Sequence, residues 1–178
     1  MKTGTLQSFL QGTTPADLGP GPRADITPLA DLNGALNDAL ASAHLIGTEA
    51  NLIRATLLLW HDHHDAAHRI VQDMETPDGS YIHAILHRRE PDYSNAKYWF
   101  RRVGQHTCFN ALPLRTADIL RKSSSEALIN KILPHGKWDS FAFVDACDAA
   151  ASPSAPAHET LREIQQVEFE VLLDHLCR

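Results

Sequence analysis

The part of this sequence that decides the fold runs over residues 60–106 and reads WHDHHDAAHRIVQDMETPDGSYIHAILHRREPDYSNAKYWFRRVGQH. Apolar residues recur in it every three or four positions, as at Ala67, Ile70 and Val71, which is typical of amphipathic helices. The TPDG sequence at 76–79 predicts a turn, because proline, aspartate and glycine favour turn conformations. The stretch therefore predicts successive short helices joined by tight turns.

Three helices are expected in this stretch, over about 62–74, 80–89 and 94–103. Ser80 is the predicted N-cap of the second helix and Ser94 that of the third, because serine side chains accept hydrogen bonds from free backbone N–H groups. The stretch also holds seven of the chain's 11 histidines, at positions 61, 63, 64, 68, 83, 87 and 106. Most of the chain's histidines thus lie in or beside these three predicted helices.

The flanking sequence extends the helical pattern in both directions. Upstream, residues 48–60 are apolar nearly all round a helix, which predicts a buried central helix, and leucines at helical spacing predict another over 29–41. Downstream, helices are expected near 115–122, 125–133, 139–150 and 158–177. Because no run alternates like a strand, the predicted fold is all-α: a single-domain irregular bundle of six or seven helices over residues 29–178.

Residues 1–28 are rich in glycine and proline and poor in large apolar side chains, so a flexible N-terminal arm is expected there. The net charge of −6 argues against a general nucleic-acid-binding function. Three widely spaced cysteines, 108, 147 and 177, favour free thiols in a reducing compartment. With neither a signal-peptide run nor a membrane span in the sequence, we expect a cytoplasmic protein.

Histidines four residues apart recur on two successive predicted helices, His64 with His68 and His83 with His87. Such pairs lie one turn apart on the same face, and the short turn makes the two helices antiparallel neighbours. With Asp65 beside them, His68, His83 and His87 form a candidate ligand set for a divalent metal such as Zn, Fe or Mn. The alternative is that these histidines only form hydrogen bonds, without a metal.

A second hypothesis concerns His61-Asp62, which follows an apolar helix as in the HD-domain metal phosphohydrolases. That family is all-helical and also needs an upstream histidine and a distant aspartate as metal ligands. His44 and Asp118 are the residues that could fill these roles here. Neither spacing is diagnostic.

Basic residues are concentrated around the second and third helices of the stretch. Guanidinium groups suit carboxylate and phosphate ligands, so a small anionic ligand is expected, with Glu90 as a candidate general base. The candidate ligand-binding residues are Arg88, Arg89, Asn95, Tyr98, Arg101 and Arg102. Alternatively, the arginines pair with acidic residues elsewhere in the chain, including those of the last helix.

Two segments carry a family resemblance: DGSYIHAILHRREPDYSNAKYWFRRVG at 78–104 and LLLWHDHHDAAHRIVQ at 57–72. Together they resemble the signature of a family of bacterial and fungal proteins to which no reaction is assigned. The resemblance implies a site in this same region and favours it over the HD-type site. The residues that it implies are Asp65, His68, His83, His87, Arg88, Arg89 and Glu90.

The leading prediction is a polar pocket of histidine, acidic and arginine side chains that binds a small anionic or oxygen-rich ligand. A divalent metal and metal-dependent hydrolysis are part of that prediction. A non-catalytic helical interaction or scaffold protein and an HD-type phosphohydrolase are the alternatives. Neither a nucleic-acid nor a membrane partner is expected, and the sequence leaves the oligomeric state open.

Overall fold

A computed structural model describes residues 2–11, 14–24, 26–123 and 125–178 of the chain. These ranges form α-helices and connecting turns without a strand, so the all-α prediction is confirmed. The number of helices was underestimated, because the described ranges contain ten. The helices are α1 (Lys2–Gln7), α2 (Leu29–Ser42), α3 (Gly47–Trp60), α4 (His64–Val71), α5 (Pro77–Arg89), α6 (Tyr93–Val103), α7 (Cys108–Lys122), α8 (Glu126–Ile132), α9 (Ser140–Ala149) and α10 (His158–Leu176).

Helix α3 lies at the centre of the core, as its apolar sequence predicted. Ile53, Leu57 and Leu59 have no exposed surface, although they lie on different sides of the helix. A helix buried on several sides needs neighbours on each, and α3 contacts α2, α4, α5 and α10. The chain is therefore organised around this helix, and the histidine-rich helices α4 and α5 both pack against it.

Helix α5 is more deeply buried than its polar sequence suggested, since every residue from Gly79 to Arg89 is buried. Its partners are α3, α4 and α6. The cap is Thr76, whose hydroxyl accepts from the Gly79 N–H at 3.1 Å, rather than the predicted Ser80. Proline at the first helical position sets this earlier start. The polar side chains of α5 must therefore find their partners inside the protein.

The N-terminal segment, predicted to be a flexible arm, is packed against the rest of the protein in its described part. Leu6 and Leu10 are buried, and α1 contacts α10. Gln165 of α10 donates to the backbone carbonyls of Ala16 and Asp17, at 3.1 and 3.0 Å. Side chains distant in sequence thus satisfy this glycine- and proline-rich backbone. Residues 1, 12, 13 and 25 of the predicted arm lie outside the described residues.

Two further boundaries bear on the site. Helix α6 begins at Tyr93 and is capped by Asp92, whose carboxylate accepts from the Asn95 N–H at 3.2 Å, rather than by Ser94. A 3-10 turn at Pro134–Gly136 connects α8 to the segment before α9. Among the described residues, no helix combines the length and the apolar character needed to cross a bilayer.

Candidate metal centre

Helices α4 and α5 bring three of the four predicted metal ligands together. One ring nitrogen from each of His68, His83 and His87 lies within 4.8 Å of the other two. The closest pair is Nε2 of His83 and Nε2 of His68, which are 3.0 Å apart. Two imidazoles come from one helix and the third from its neighbour across the 72–76 turn. We call these residues the three-histidine cluster.

Aromatic contacts fix the rings of the cluster. The ring of His83 stacks on Trp99 with centroids 3.9 Å apart and lies parallel to His87 at 4.7 Å. Burial, together with the neighbouring His87 and His68 rings, lowers the pKa of His83 from 6.5 to about 3. Burial also lowers the pKa of His87. Both rings are therefore neutral at ordinary pH, and only a neutral imidazole has the lone pair that a metal needs.

The cluster leaves ring nitrogens without good partners. Nδ1 of His83 is buried and has no hydrogen-bond partner among the described residues. Nδ1 of His87 lies 3.2 Å from a Glu90 carboxylate oxygen. Its Nε2 accepts from the Asn95 amide at 3.1 Å, which places the hydrogen of a neutral ring on Nδ1, toward Glu90. Metal-binding histidines commonly have this arrangement, with a carboxylate beside the nitrogen that does not bind.

A cleft of about 420 Å³ borders the same part of α4. Glu90 lines it and also contacts His87, so this carboxylate connects the cleft to the three-histidine cluster. Asp65, the fourth predicted ligand, is exposed and lines the cleft but does not belong to the cluster. His64 lines the cleft too, and burial lowers its pKa to about 4. Asp65 and His64 are thus placed to contact a ligand in the cleft rather than to complete the cluster.

Arg88 and Arg89, predicted as anion-binding residues, are fully buried and already have carboxylate partners. Arg88 binds Glu168 of α10 through two nitrogens and stacks on Phe143, with its guanidinium carbon 4.5 Å from the ring centroid. Arg89 binds Asp62 at 2.6 Å and donates to backbone carbonyls. Because both side chains have no exposed surface, these ion pairs hold the fold together and leave neither guanidinium facing the cleft.

The remaining predicted anion-binding residues all lie on α6, but their side chains contact different residues. Arg102 pairs with Glu75 at 3.0 Å and lies over Trp99, while Arg101 lies over Phe141 at 5.7 Å. Tyr98 is 47% exposed and meets Trp99 edge-on. Asn95 alone among these residues contacts a cluster histidine. The structure therefore does not gather the predicted arginines into one anion site.

A second group of metal-type side chains was missed at the sequence level. Nε2 of His106 and Nε2 of His175 lie 2.9 and 3.0 Å from the same carboxylate oxygen of Asp78. We call these three residues the Asp78 cluster. It joins the start of α5, the turn before α7 and the end of α10. Because these segments are far apart in sequence, no local spacing could have indicated the group.

Hydrogen bonds occupy the outer ring nitrogens of the Asp78 cluster. The Cys108 N–H donates to Nδ1 of His106 at 3.3 Å, and the Thr107 hydroxyl lies 3.1 Å from Nδ1 of His175. A nitrogen that accepts carries no hydrogen, so the hydrogen of a neutral His106 ring is on Nε2 and points at Asp78. The hydrogen bond from His106 lowers the pKa of Asp78. This arrangement is that of a hydrogen-bonded carboxylate rather than of a metal ligand.

The pair suggested by the HD-type hypothesis has structural partners. His61 bonds to the Phe9 carbonyl at 3.0 Å, and Asp62 accepts from Arg23 at 2.8 Å and from Arg89 at 2.6 Å. Asp118 is exposed and pairs with Arg121. The structure therefore does not bring His61 and Asp62 together with His44 and Asp118 around a common point.

No family model, curated protein or solved structure matches this chain. The family resemblance of residues 57–72 and 78–104 stays a prediction. The functional argument therefore depends on the geometry of the chain's own residues.

Proposed function

We propose that His68, His83 and His87 bind a divalent transition metal, and that the protein is a metal-dependent hydrolase acting on a small oxygen-rich or anionic substrate. The observation that carries the proposal is the convergence of three imidazoles, those of His83 and His87 being kept neutral by burial, beside a cleft that shares Glu90 with them. Ligand nitrogens around a tetrahedral zinc ion are about 3.3 Å apart, given Zn–N distances of about 2.0–2.1 Å. The 3.0 Å contact between His83 and His68 is close to that separation.

The ligand set fits the proposed reaction class. Three protein ligands leave a coordination position open for water or substrate, which distinguishes catalytic from structural zinc sites. A metal bound there would lower the pKa of a bound water enough to supply a nucleophile at neutral pH. The all-imidazole set suits zinc or another first-row metal better than magnesium or calcium, which prefer oxygen ligands.

Residues around the cleft have distinct roles in this proposal. Glu90 would orient His87 through Nδ1 and accept a proton from a water in the cleft, because its side chain borders both. Asp65, Arg69 and His64 also line the cleft, and their polar groups would bind the substrate. The neutral His64 ring can donate one hydrogen bond and accept another.

Metal binding is tested first, on tag-free protein stripped with a chelator and titrated with Co²⁺ or Zn²⁺. We expect stoichiometric uptake, a visible Co²⁺ absorption spectrum and a change in Trp99 fluorescence, because that indole stacks on His83. His68→Ala should abolish these signals. His175→Ala is the matched control, since it removes an imidazole from the Asp78 cluster, and it should bind metal as the parent does. Equal uptake by the parent and His68→Ala would contradict the proposal.

Hydrolysis is tested next, with a panel of nitrophenyl esters and nitrophenyl phosphates. Glu90→Gln should lower kcat by about 10²-fold while leaving metal content unchanged, as expected when a general base is lost. The control is Asp73→Asn, which neutralises an exposed carboxylate that lines no described cleft. If the metal-loaded protein hydrolyses nothing, or if Glu90→Gln hydrolyses as fast as the parent, the hydrolase part fails and metal binding alone stands.

A non-catalytic scaffold is the second candidate, and the buried arginines favour it. Arg88 with Glu168 and Arg89 with Asp62 form internal ion pairs that connect α5 to α10 and to the loop after α3. Arginines with such partners serve folding, whatever the neighbouring histidines do. Metal binding distinguishes the two candidate functions, because a scaffold needs no metal.

A further inference from the structure

A groove of about 720 Å³ lies between the turn that follows α6, helix α7 and the start of α9. Its apolar lining includes Phe109, Trp138 and Phe141, and Leu114 lies on its rim. The Leu114 side chain is 84% exposed, and the preceding residue is a proline inside α7. A single exposed leucine needs no explanation, but one continuous with an aromatic groove marks a candidate binding surface.

Two cations border this groove in a chain of net charge −6. Lys137 lines the groove, and the guanidinium of Arg101 lies 5.7 Å from the Phe141 ring centroid. Neither forms an ion pair with another residue in the described ranges, whereas Arg88, Arg89 and Arg102 each have a carboxylate partner. Asp139 also lines the groove, and its carboxylate accepts from the backbone N–H groups of Phe141 and Ala142 at the start of α9. Two cations, Arg101 and Lys137, thus stand against the one carboxylate that the structure describes in the lining, and that carboxylate already accepts two backbone N–H groups.

The groove also presents side-chain amides. Gln105 and Asn110 line it, and neither amide group bonds to another residue that the structure describes. An amide can donate to and accept from a peptide backbone at the same time. The lining thus combines an aromatic surface, free amides and unpaired cations.

We propose that this groove binds a short segment of a partner protein, with apolar side chains in the groove and acidic residues on either side of them. The apolar side chains would pack on Phe109, Trp138 and Phe141, while the flanking carboxylates reach Arg101 and Lys137. Gln105 and Asn110 would bond to the backbone of the segment. The choice of an acidic partner follows from charge complementarity with the rim. The proposal is independent of the metal centre.

The test uses fluorescein-labelled nonapeptides with a Leu-Phe-Leu centre flanked by aspartate and glutamate, measured by fluorescence polarisation. We expect saturable binding that weakens as salt is raised, because exposed charge pairs are screened. The same peptide with lysine flanks, and the one with a serine centre, should bind at least tenfold more weakly.

Exposed positions supply the variants, so that folding is retained, and thermal melting checks this. Leu114→Asp and the double change Arg101→Glu with Lys137→Glu should each weaken binding at least tenfold. The double variant should gain affinity for the lysine-flanked peptide. Ile46→Asp is the control for Leu114→Asp, because Ile46 is 83% exposed outside the groove. Lys122→Glu is the control for the charge changes, and both controls should bind like the parent.

Several outcomes would overturn the proposal. One is that no acidic-apolar peptide binds. Another is that decanoate binds in the groove while the peptides do not, which would identify a small amphiphile as the ligand. A third is that the protein is a dimer that Leu114→Asp dissociates, because the groove would then bind a second copy of the chain. Binding to the His68→Ala variant must match binding to the parent, which separates this test from that of the metal centre.

Discussion

The two histidine clusters of this protein use the same residue type in opposite ways. In the Asp78 cluster, the ring nitrogens of His106 and His175 all have partners, and both rings meet a carboxylate. In the three-histidine cluster, Nε2 of His83 lies 3.0 Å from Nε2 of His68, and Nδ1 of His83 is buried with no hydrogen-bond partner in the part of the chain that the structure describes. A carboxylate that already receives two N–H groups gains little from a metal. Imidazoles that face one another would gain more from a metal.

The difference shows that ring count and distance do not identify a metal site by themselves. Both clusters bring three ligand-type atoms within 4.8 Å. The hydrogen-bond partners of a ring decide which of its two nitrogens carries the hydrogen and which carries the lone pair. For His106, the Cys108 N–H donates to Nδ1, so the hydrogen is on Nε2 and points at Asp78. For His87, the Asn95 amide donates to Nε2, so the lone pair is on Nε2.

The largest expected effect is the loss of metal from one cluster only. His83→Ala should weaken Zn²⁺ affinity by more than about 100-fold, because losing a ligand costs more than the 10–100-fold typical of losing a residue that supports one. His106→Ala should leave affinity unchanged, although it removes a histidine of equal burial class. Competition with a chromogenic chelator measures both. Metal loss from the two variants to the same degree would refute the distinction between the clusters.

The second-largest expected effect is a loss of stability when the Asp78 cluster is disrupted. Asp78→Ala strands the inward N–H groups of His106 and His175, which should cost about 1–3 kcal/mol of unfolding free energy. Urea denaturation of the metal-free protein measures it. The control is Asp73→Ala, which removes an exposed carboxylate that has no partner among the described residues. A loss no larger than that of the control would mean that the Asp78 cluster contributes nothing to the fold.

The two clusters should also differ in how they change the stability of the protein at low pH. The pKa of His83 is lowered from 6.5 to about 3, so the unfolded chain binds its proton first, and stability falls as pH drops from 6.5 toward 3. The pKa of Asp78 is lowered from 3.8, so its contribution is present above 3.8 and is lost only at lower pH. His64, with its pKa of about 4, shares the first window.

The measurement for this acid effect is the melting temperature of metal-free protein across pH. His83→Gln should flatten the decline between pH 6.5 and 4, while Asp78→Asn should alter only the part below 3.8. His63→Gln is the control, since that ring bonds to the Thr27 carbonyl outside both clusters. An unchanged slope in His83→Gln would show that the buried ring is protonated without cost.

The sequence predicted the three-histidine cluster because its geometry is local. Two i, i+4 pairs on helices joined by a short turn are expected to lie close together. Three of the four imidazoles, those of His68, His83 and His87, form the cluster, while His64 lines the cleft. Helix class and the buried character of α3 follow from equally local patterns.

What the sequence could not predict depends on residues that are distant along the chain. Arg88 looked like an anion-binding residue because its partner, Glu168, is 80 residues away. The same holds for the packing of residues 14–24, whose backbone is bonded by Arg89 and Gln165. The Asp78 cluster spans 97 residues from Asp78 to His175. Only the tertiary fold decides which charged side chains are already paired and which remain free.

The smallest effect concerns Asn95 and is the most specific to the proposed ligand atoms. Its amide donates to Nε2 of His87, so that hydrogen bond must break before the nitrogen can bind a metal. Asn95→Ala should therefore raise Zn²⁺ affinity by about 2–10-fold, the equivalent of one net hydrogen bond. Arg101→Gln, also on α6 but away from the cluster, should change nothing. If Asn95→Ala lowers the affinity instead, His87 binds through Nδ1, and Glu90 then borders the metal itself rather than supporting the ring.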